Sequence, residues 1–245
     1  MALTDKIEIP RRTMVLFFII DTSGSMDGSK IGSVNTAIEE VIPAIREVSA
    51  ENADAEIKIA ALEFSSGIRW ITDKGPIEAE QFRWNDLEAA GVTDFGAACK
   101  ALNEKLSTKA FMNEATGSFA PAIFLLSDGG PTDDWQKALI ELKQNNWFKA
   151  AVKVAIAIGD DADKEVLKEF TGTMEAVLET RSAAMLKKMI KFVSVRASQV
   201  ASRSSNVSDS GADWGDEQKQ QELNTNLQEF KEDIAASPDK DQEDW

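Results

Sequence analysis

The sequence contains no histidine and a single cysteine, Cys99. Without histidine the chain cannot build from its own residues a Ser-His-Asp or Cys-His catalytic set, a His-ligated zinc site or a histidine general base. With one thiol it forms no intramolecular disulfide, which fits a reducing compartment. Any metal bound by these residues is therefore held by oxygen. Oxygen donors suit Mg²⁺, with Mn²⁺ and Ca²⁺ as compatible alternatives. Long apolar runs are missing too. The longest, Met14 to Ile20, falls far short of the roughly 20 residues that a membrane-spanning helix needs. The first residues lack the positive flank, apolar stretch and cleavage site of a secretory signal, so the expectation is a cytoplasmic protein.

Positive charge is also scarce. Lys and Arg total 27 against 42 Asp and Glu, a net charge of −15. That balance argues against nucleic acid, whose phosphates need a basic face, and against docking on an anionic membrane. From Ser205 to Trp245, twelve acidic residues stand against Lys219, Lys231 and Lys240. The acidic excess concentrated there marks a tail, residues 205–245, distinct from a domain over residues 1–204.

What is present is an alternation of short apolar runs with longer amphipathic ones, the pattern of a mostly parallel sheet sandwiched by helices. Thr13 to Ile20 reads as a strand buried on both faces, Glu56 to Phe64 as a second, and Ala122 to Leu126, Val152 to Ile158 and Ala176 to Leu178 as three more. Ile68 to Thr72 follows the turn residues Ser65-Ser66-Gly67 and reads as the antiparallel partner of the second strand. Helices are expected over Lys30 to Ala50 (with Pro43 inside it), Asp94 to Met112, Asp134 to Gln144, Asp163 to Phe170 and Ser182 to about Arg203. The fold class is thus a doubly wound α/β, six-stranded sheet with one antiparallel edge. Such sheets bind ligands beyond the carboxyl ends of their strands.

Two strands end in aspartate at that edge. The first runs into Asp21-Thr22-Ser23-Gly24-Ser25-Met26, the other into Ser127-Asp128-Gly129-Gly130. Spacing of two lets Asp21, Ser23 and Ser25 converge on one ion, with Gly24 permitting the tight turn. Either aspartate alone reads equally well as a helix cap. Asp27, Asp94, Asp133 and Asp134 read as caps or as groups that support the ligands.

Asp21-x-Ser23-x-Ser25, with Thr93 in Gly91-Val92-Thr93-Asp94 and Asp128 in Ser127-Asp128-Gly129, resembles the metal-ion-dependent adhesion site of the von Willebrand factor A family. The resemblance covers roughly Thr13 to Ser204. It implies a metal contacted by the two serines and the threonine, with the aspartates acting directly or through water, and an open position that accepts a partner's Asp or Glu. It implies a protein interaction module rather than an enzyme. Within the family the loops look most like the bacterial TerY group, associated with tellurite resistance and phosphorylation-linked stress systems. The Cys/His zinc module of some members of that group has no counterpart here. An adaptor for an ATPase is the alternative intracellular role. An extracellular adhesion role is disfavoured by the missing signal and disulfides.

The same strand-terminal Asp21 and the later Ser-Asp-Gly-Gly loosely resemble haloacid dehalogenase-type phosphatases. Those need a second carboxylate two residues on, where this chain has Ser23. Cys99 lies on an apolar helix stripe and reads as a core thiol. In the tail, Leu223, Leu227, Phe230 and Ile234 form a narrow helical stripe, with Trp214 and Trp245 nearby. The stripe is either an amphipathic helix that folds back or meets a partner groove, or part of a solvated tail. Its carboxylates are candidates to reach the metal of a neighbouring copy in self-association.

Overall fold

A computed structural model describes residues 11–114, 117–180, 182–201 and 215–236. Seven strands and seven helices alternate through them: β1 (Arg12–Asp21), α1 (Ser29–Glu51), β2 (Ala55–Ser65), β3 (Gly67–Trp70), β4 (Ile77–Glu78), α2 (Phe95–Lys105), β5 (Ala122–Ser127), α3 (Trp135–Leu142), α4 (Asn146–Ala150), β6 (Val152–Ile158), α5 (Lys164–Thr171), β7 (Val177–Thr180), α6 (Ala183–Ala201) and α7 (Gly215–Ala236). The strands lie in the order β3-β2-β1-β5-β6-β7. All neighbours from β2 to β7 are parallel, and β3 runs antiparallel on the outer side of β2.

The nearly unbroken apolar run of β1 is explained by its central place. Met14, Leu16, Phe18 and Ile20 enter one core with Val34, Ile38, Ile45, Ile190 and Val193 of α1 and α6. Val15, Phe17 and Ile19 enter the other with Phe95, Leu102, Leu139 and Phe170 of α2, α3 and α5. Side chains alternate across a strand, so a strand covered on both faces must be apolar at every position. The first half of β2 alternates instead, with Glu56 and Lys58 only half-buried between buried Ala55, Ile57 and Ile59.

Several elements depart from the pattern-based expectation. The two-residue β4 pairs antiparallel with Lys58 and Ile59, adding a seventh strand to the same edge that β3 occupies. Two residues carry no readable period. The helix expected over Asp94 to Met112 stops at Lys105, where Ser107 and Thr108 favour turns over helix. Leu106, Phe111 and Met112 are nevertheless buried in turns, which kept their apolar signal helix-like. The short α4 was not anticipated. Its start is set by Asn145, whose side chain accepts from the backbone N–H of Trp147 (2.8 Å) and Phe148 (3.3 Å). Pro43 sits inside α1, which continues past it to Glu51. No described helix is long and apolar enough to cross a membrane.

The apolar stripe of the tail becomes α7, packed on its own domain. Leu223 and Leu227 are fully buried in the α1–α6 core, and Phe230 stacks on Phe192 with ring centroids 4.2 Å apart. Gln220 supplies a reason for the site it chooses. The backbone of Lys153 faces the β7 side of β6, yet β7 pairs with β6 only from Ala155 onward. The Gln220 side-chain amide fills the gap, accepting from Lys153 N–H at 2.8 Å and donating to its carbonyl at 3.1 Å. A buried backbone segment without a strand partner is thereby satisfied. This is the amino-terminal end of β6, remote from the carboxyl edge. Trp214 and Trp245 lie outside the described residues, as does the side chain of Ile234.

Candidate metal centre

Strand register brings the two aspartate-bearing loops together. Ile20 of β1 pairs with Leu126 of β5, so Asp21 and Ser127 leave the sheet side by side. Asp21 is fully buried. Its Oδ1 accepts from Ser23 N–H at 2.8 Å and its Oδ2 from the Ser127 hydroxyl at 2.6 Å. The Ser127 Oγ in turn accepts from Gly129 N–H at 2.7 Å. Burial pushes the Asp21 carboxyl above its ordinary value and the neighbouring charge of Asp128 adds to this, while the Ser127 and Ser23 hydrogen bonds pull it down.

After Asp21 the chain makes a single 3₁₀ turn, Gly24–Met26, closed by Met26 N–H to the Ser23 carbonyl at 3.0 Å. The turn buries Ser23, exposes Ser25 and sets their hydroxyl oxygens 3.0 Å apart. Thr93 is carried by the irregular segment 79–94, which is held at several points. Asn35 of α1 exchanges two 2.9 Å hydrogen bonds with the backbone of Leu87. Ala90 N–H reaches the Thr22 carbonyl at 2.8 Å, and Gly24 N–H reaches the Gly91 carbonyl at 3.0 Å. A Cβ at Gly24 would stand 3.2 Å from that carbonyl oxygen, so the close approach favours glycine. On the other side, Thr93 N–H donates to the Thr132 hydroxyl at 3.0 Å, and Thr132 N–H returns to the Thr93 carbonyl at 2.9 Å. The three loops bearing Asp21, Ser23, Ser25, Thr93 and Asp128 are thus laced together at one sheet edge.

Asp128 is nearly buried and is not bare. Its Oδ2 accepts from Lys30 Nζ at 3.1 Å, and the same ammonium donates to Asp161 Oδ1 at 3.0 Å. Neither Lys30 nor Asp161 was singled out from sequence. The available signals were a lone lysine at the start of α1 among acidic loops and an Asp-Asp pair after the third long buried strand. Of the remaining loop acids, Asp133 and Asp94 hold neighbouring backbone N–H groups, whereas the capping expected of Asp134 and Asp27 is not seen. Asp133 accepts from Gly96 and Ala97 N–H at the start of α2, and Asp94 accepts from Gly67 N–H. Asp134 stands before α3 without a side-chain cap bond, and Asp27 is exposed.

The donor set fits a small hard cation. Among the described residues no group of three or more Asp, Glu, Cys or His side chains could hold a metal, so a site here must combine carboxylates with hydroxyls. Adjacent oxygens around an octahedral Mg²⁺ with bonds of about 2.1 Å lie about 3.0 Å apart. The Ser23 and Ser25 hydroxyls, hydrogen-bonded to each other, already have that separation. For phosphatase chemistry the arrangement is poor. Ser23 occupies the acid/base position, and both oxygens of the buried Asp21 are engaged by donors. Cys99 is buried, and desolvation raises its thiol well above the ordinary range, which leaves it inert in the core.

Residues 16–192 match the family model of the von Willebrand factor type A domain. The chain belongs to this family. All five residues, Asp21, Ser23, Ser25, Thr93 and Asp128, fall inside the matched stretch. Among solved structures this A domain is similar to proximal thread matrix protein 1 from the mussel byssus, in a form described as having a zinc-occupied MIDAS motif (16% identity, TM-score 0.57, covering 77% of this chain and 48% of that one). It is similar to a von Willebrand factor type A protein from Catenulispora acidiphila (18%, 0.55, 76% and 43%). It is also similar to the pilus adhesin SpaC from Lactobacillus rhamnosus GG (14%, 0.58, 76% and 30%). At these identities the likeness is one of fold, and the chain spans less than half the length of each. No curated protein matches significantly by sequence.

Proposed function

We propose that this A domain is a non-enzymatic docking module that grips an Asp or Glu side chain of a partner protein through a divalent ion, Mg²⁺ in the cell. The observation that carries the reading is the pair of converging Ser23 and Ser25 hydroxyls beside a buried, donor-fixed Asp21. Ser23, Ser25 and Thr93 would contact the ion, with Asp21 and Asp128 completing its surroundings directly or through water. Neutral hydroxyl ligands leave most of an ion's charge uncompensated, so it remains a strong electrophile for an incoming carboxylate. On a chain of net charge −15, that ion is what makes recognition of an acidic partner favourable. The mussel protein, similar in fold, has a zinc-occupied MIDAS motif, which supports occupancy of such a site by a divalent ion.

The setting we propose is a bacterial cytoplasmic stress or tellurite-resistance assembly, carried by the loop residues Asp21 to Met26 and Ser127 to Asp133 alone. The test is affinity capture from the native host with Mg²⁺ and with chelator, using wild type and Asp21→Ala. Partners retained only by wild type with Mg²⁺ support the proposal, and partners kept equally in every condition contradict it. An ATPase among the metal-dependent partners would assign the adaptor role in place of the resistance assembly.

A further inference from the structure

The ammonium of Lys30 is an unexpected component of the proposed metal site. Its side chain is only 13% exposed, and Nζ sits between the nearly buried Asp128 and the exposed Asp161. The path it takes is shaped for it. Gly159 adopts φ +89°, and a Cβ at that position would stand 2.8 Å from Lys30 Cε and 2.9 Å from Asp161 Oδ1. The lysine therefore reaches Asp128 through a gap that a glycine at the end of β6 leaves open. It bridges the start of α1, the loop after β5 and the loop after β6.

From this geometry we infer that Lys30 is a built-in counter-cation that weakens the site's hold on the metal and leaves the bound ion short of negative charge. The inference rests on the metal-dependent docking proposed above and names how that site is tuned. A divalent ion and two ionised aspartates cancel in formal charge. With Lys30 held between Asp128 and Asp161 the assembly is formally neutral, whereas without the lysine the same ion and three carboxylates would turn one net negative charge toward an acidic partner. Lys30 donates to one of the two Asp128 carboxylate oxygens, Oδ2. The lysine is a positioning and charge-setting residue. It touches a metal-site carboxylate, not the partner.

The test is calorimetric titration of Mg²⁺ into the full chain as wild type, Lys30→Met, Lys30→Gln and Lys30→Arg. Removing a positive charge so close to a cation site, partly screened by solvent, should tighten Mg²⁺ binding about three- to tenfold in the two neutral variants. Lys30→Arg should stay within about twofold of wild type because it keeps the charge. In chelator the neutral variants should melt below wild type, since Asp128 loses its partner, and saturating Mg²⁺ should close that gap. Should Lys30→Met not fold, Lys30→Gln carries the same expectation. Neutral variants that bind Mg²⁺ as wild type does, or more weakly, overturn the inference while leaving the docking proposal intact. Absence of Mg²⁺ binding in every protein overturns both. Binding by the neutral variants alone would show that Lys30 opposes the ion but would overturn the docking proposed for the wild-type chain.

Discussion

Replacing Ser127 by alanine removes one hydroxyl and disturbs two buried hydrogen bonds. The Asp21 carboxylate loses a donor at 2.6 Å and Gly129 N–H loses its acceptor at 2.7 Å. A hydrogen bond to a charged group is worth about 1.5–3 kcal/mol, and an orphaned buried N–H adds to the cost, so the expected destabilisation is about 3 kcal/mol. For a domain of this size that corresponds to a fall in melting temperature of about 6–12 °C. The cost also depends on pH, with a definite sign. Burial already raises the Asp21 carboxyl above its ordinary value, so its ionisation opposes folding increasingly as pH rises from the unfolded value through the folded one. Losing Ser127 lifts the folded value further. The penalty of Ser127→Ala should therefore be smaller near pH 5 than near pH 8. The assay is urea unfolding with calorimetric melting in chelator at both pH values. Ser118→Ala is the control, because the buried Ser118 hydroxyl has no hydrogen-bond partner among the described residues and its removal should be close to neutral. A Ser127→Ala loss no larger than that of Ser118→Ala would refute the claim that Ser127 fixes the Asp21 carboxylate.

Asp21→Asn removes the ionisation that burial opposes but also one of the two acceptor oxygens, so in chelator its deficit against wild type should shrink as pH rises, and it should gain nothing from Mg²⁺. Thermal melts across pH, with and without the ion, check both halves. Leu227→Ala empties a fully buried position on α7 and should cost about 2–5 kcal/mol in urea unfolding. It should also speed hydrogen exchange at the Lys153 amide, which donates to Gln220. Mg²⁺ affinity should not change, because α7 docks at the amino end of β6, away from the metal loops.

The sheet was legible because burial on both faces leaves an unmistakable mark. Met14 to Ile20, Ile123 to Leu126 and Val154 to Ile158 are apolar at every position, which a strand with one wet face never is. The strand ends that carry Asp21 and Asp128 were equally visible, whereas the adjacency of β1 and β5 appears only in the folded sheet. What escaped was held by long-range pairing. β4 exists because Ile77 and Glu78 meet Lys58 and Ile59, not because two residues prefer to be extended. The docked state of α7 depends on Gln220 finding an unpaired stretch of β6, a complementarity that no local pattern encodes. Lys30 escaped for a similar reason. Its partners Asp128 and Asp161 are 98 and 131 residues away in sequence, and only the folded loops place three charges in one spot.

The central claim is that a divalent ion is held by hydroxyls from separate loops, and titration of Mg²⁺ into wild type, Ser23→Ala and Thr93→Ala tests it directly. The expected result is one bound ion per wild-type chain, with affinity lost in both variants although their chelator melts stay within a few degrees of wild type. A wild-type protein that takes up no Mg²⁺, or alanine variants that bind it undiminished, would contradict the account.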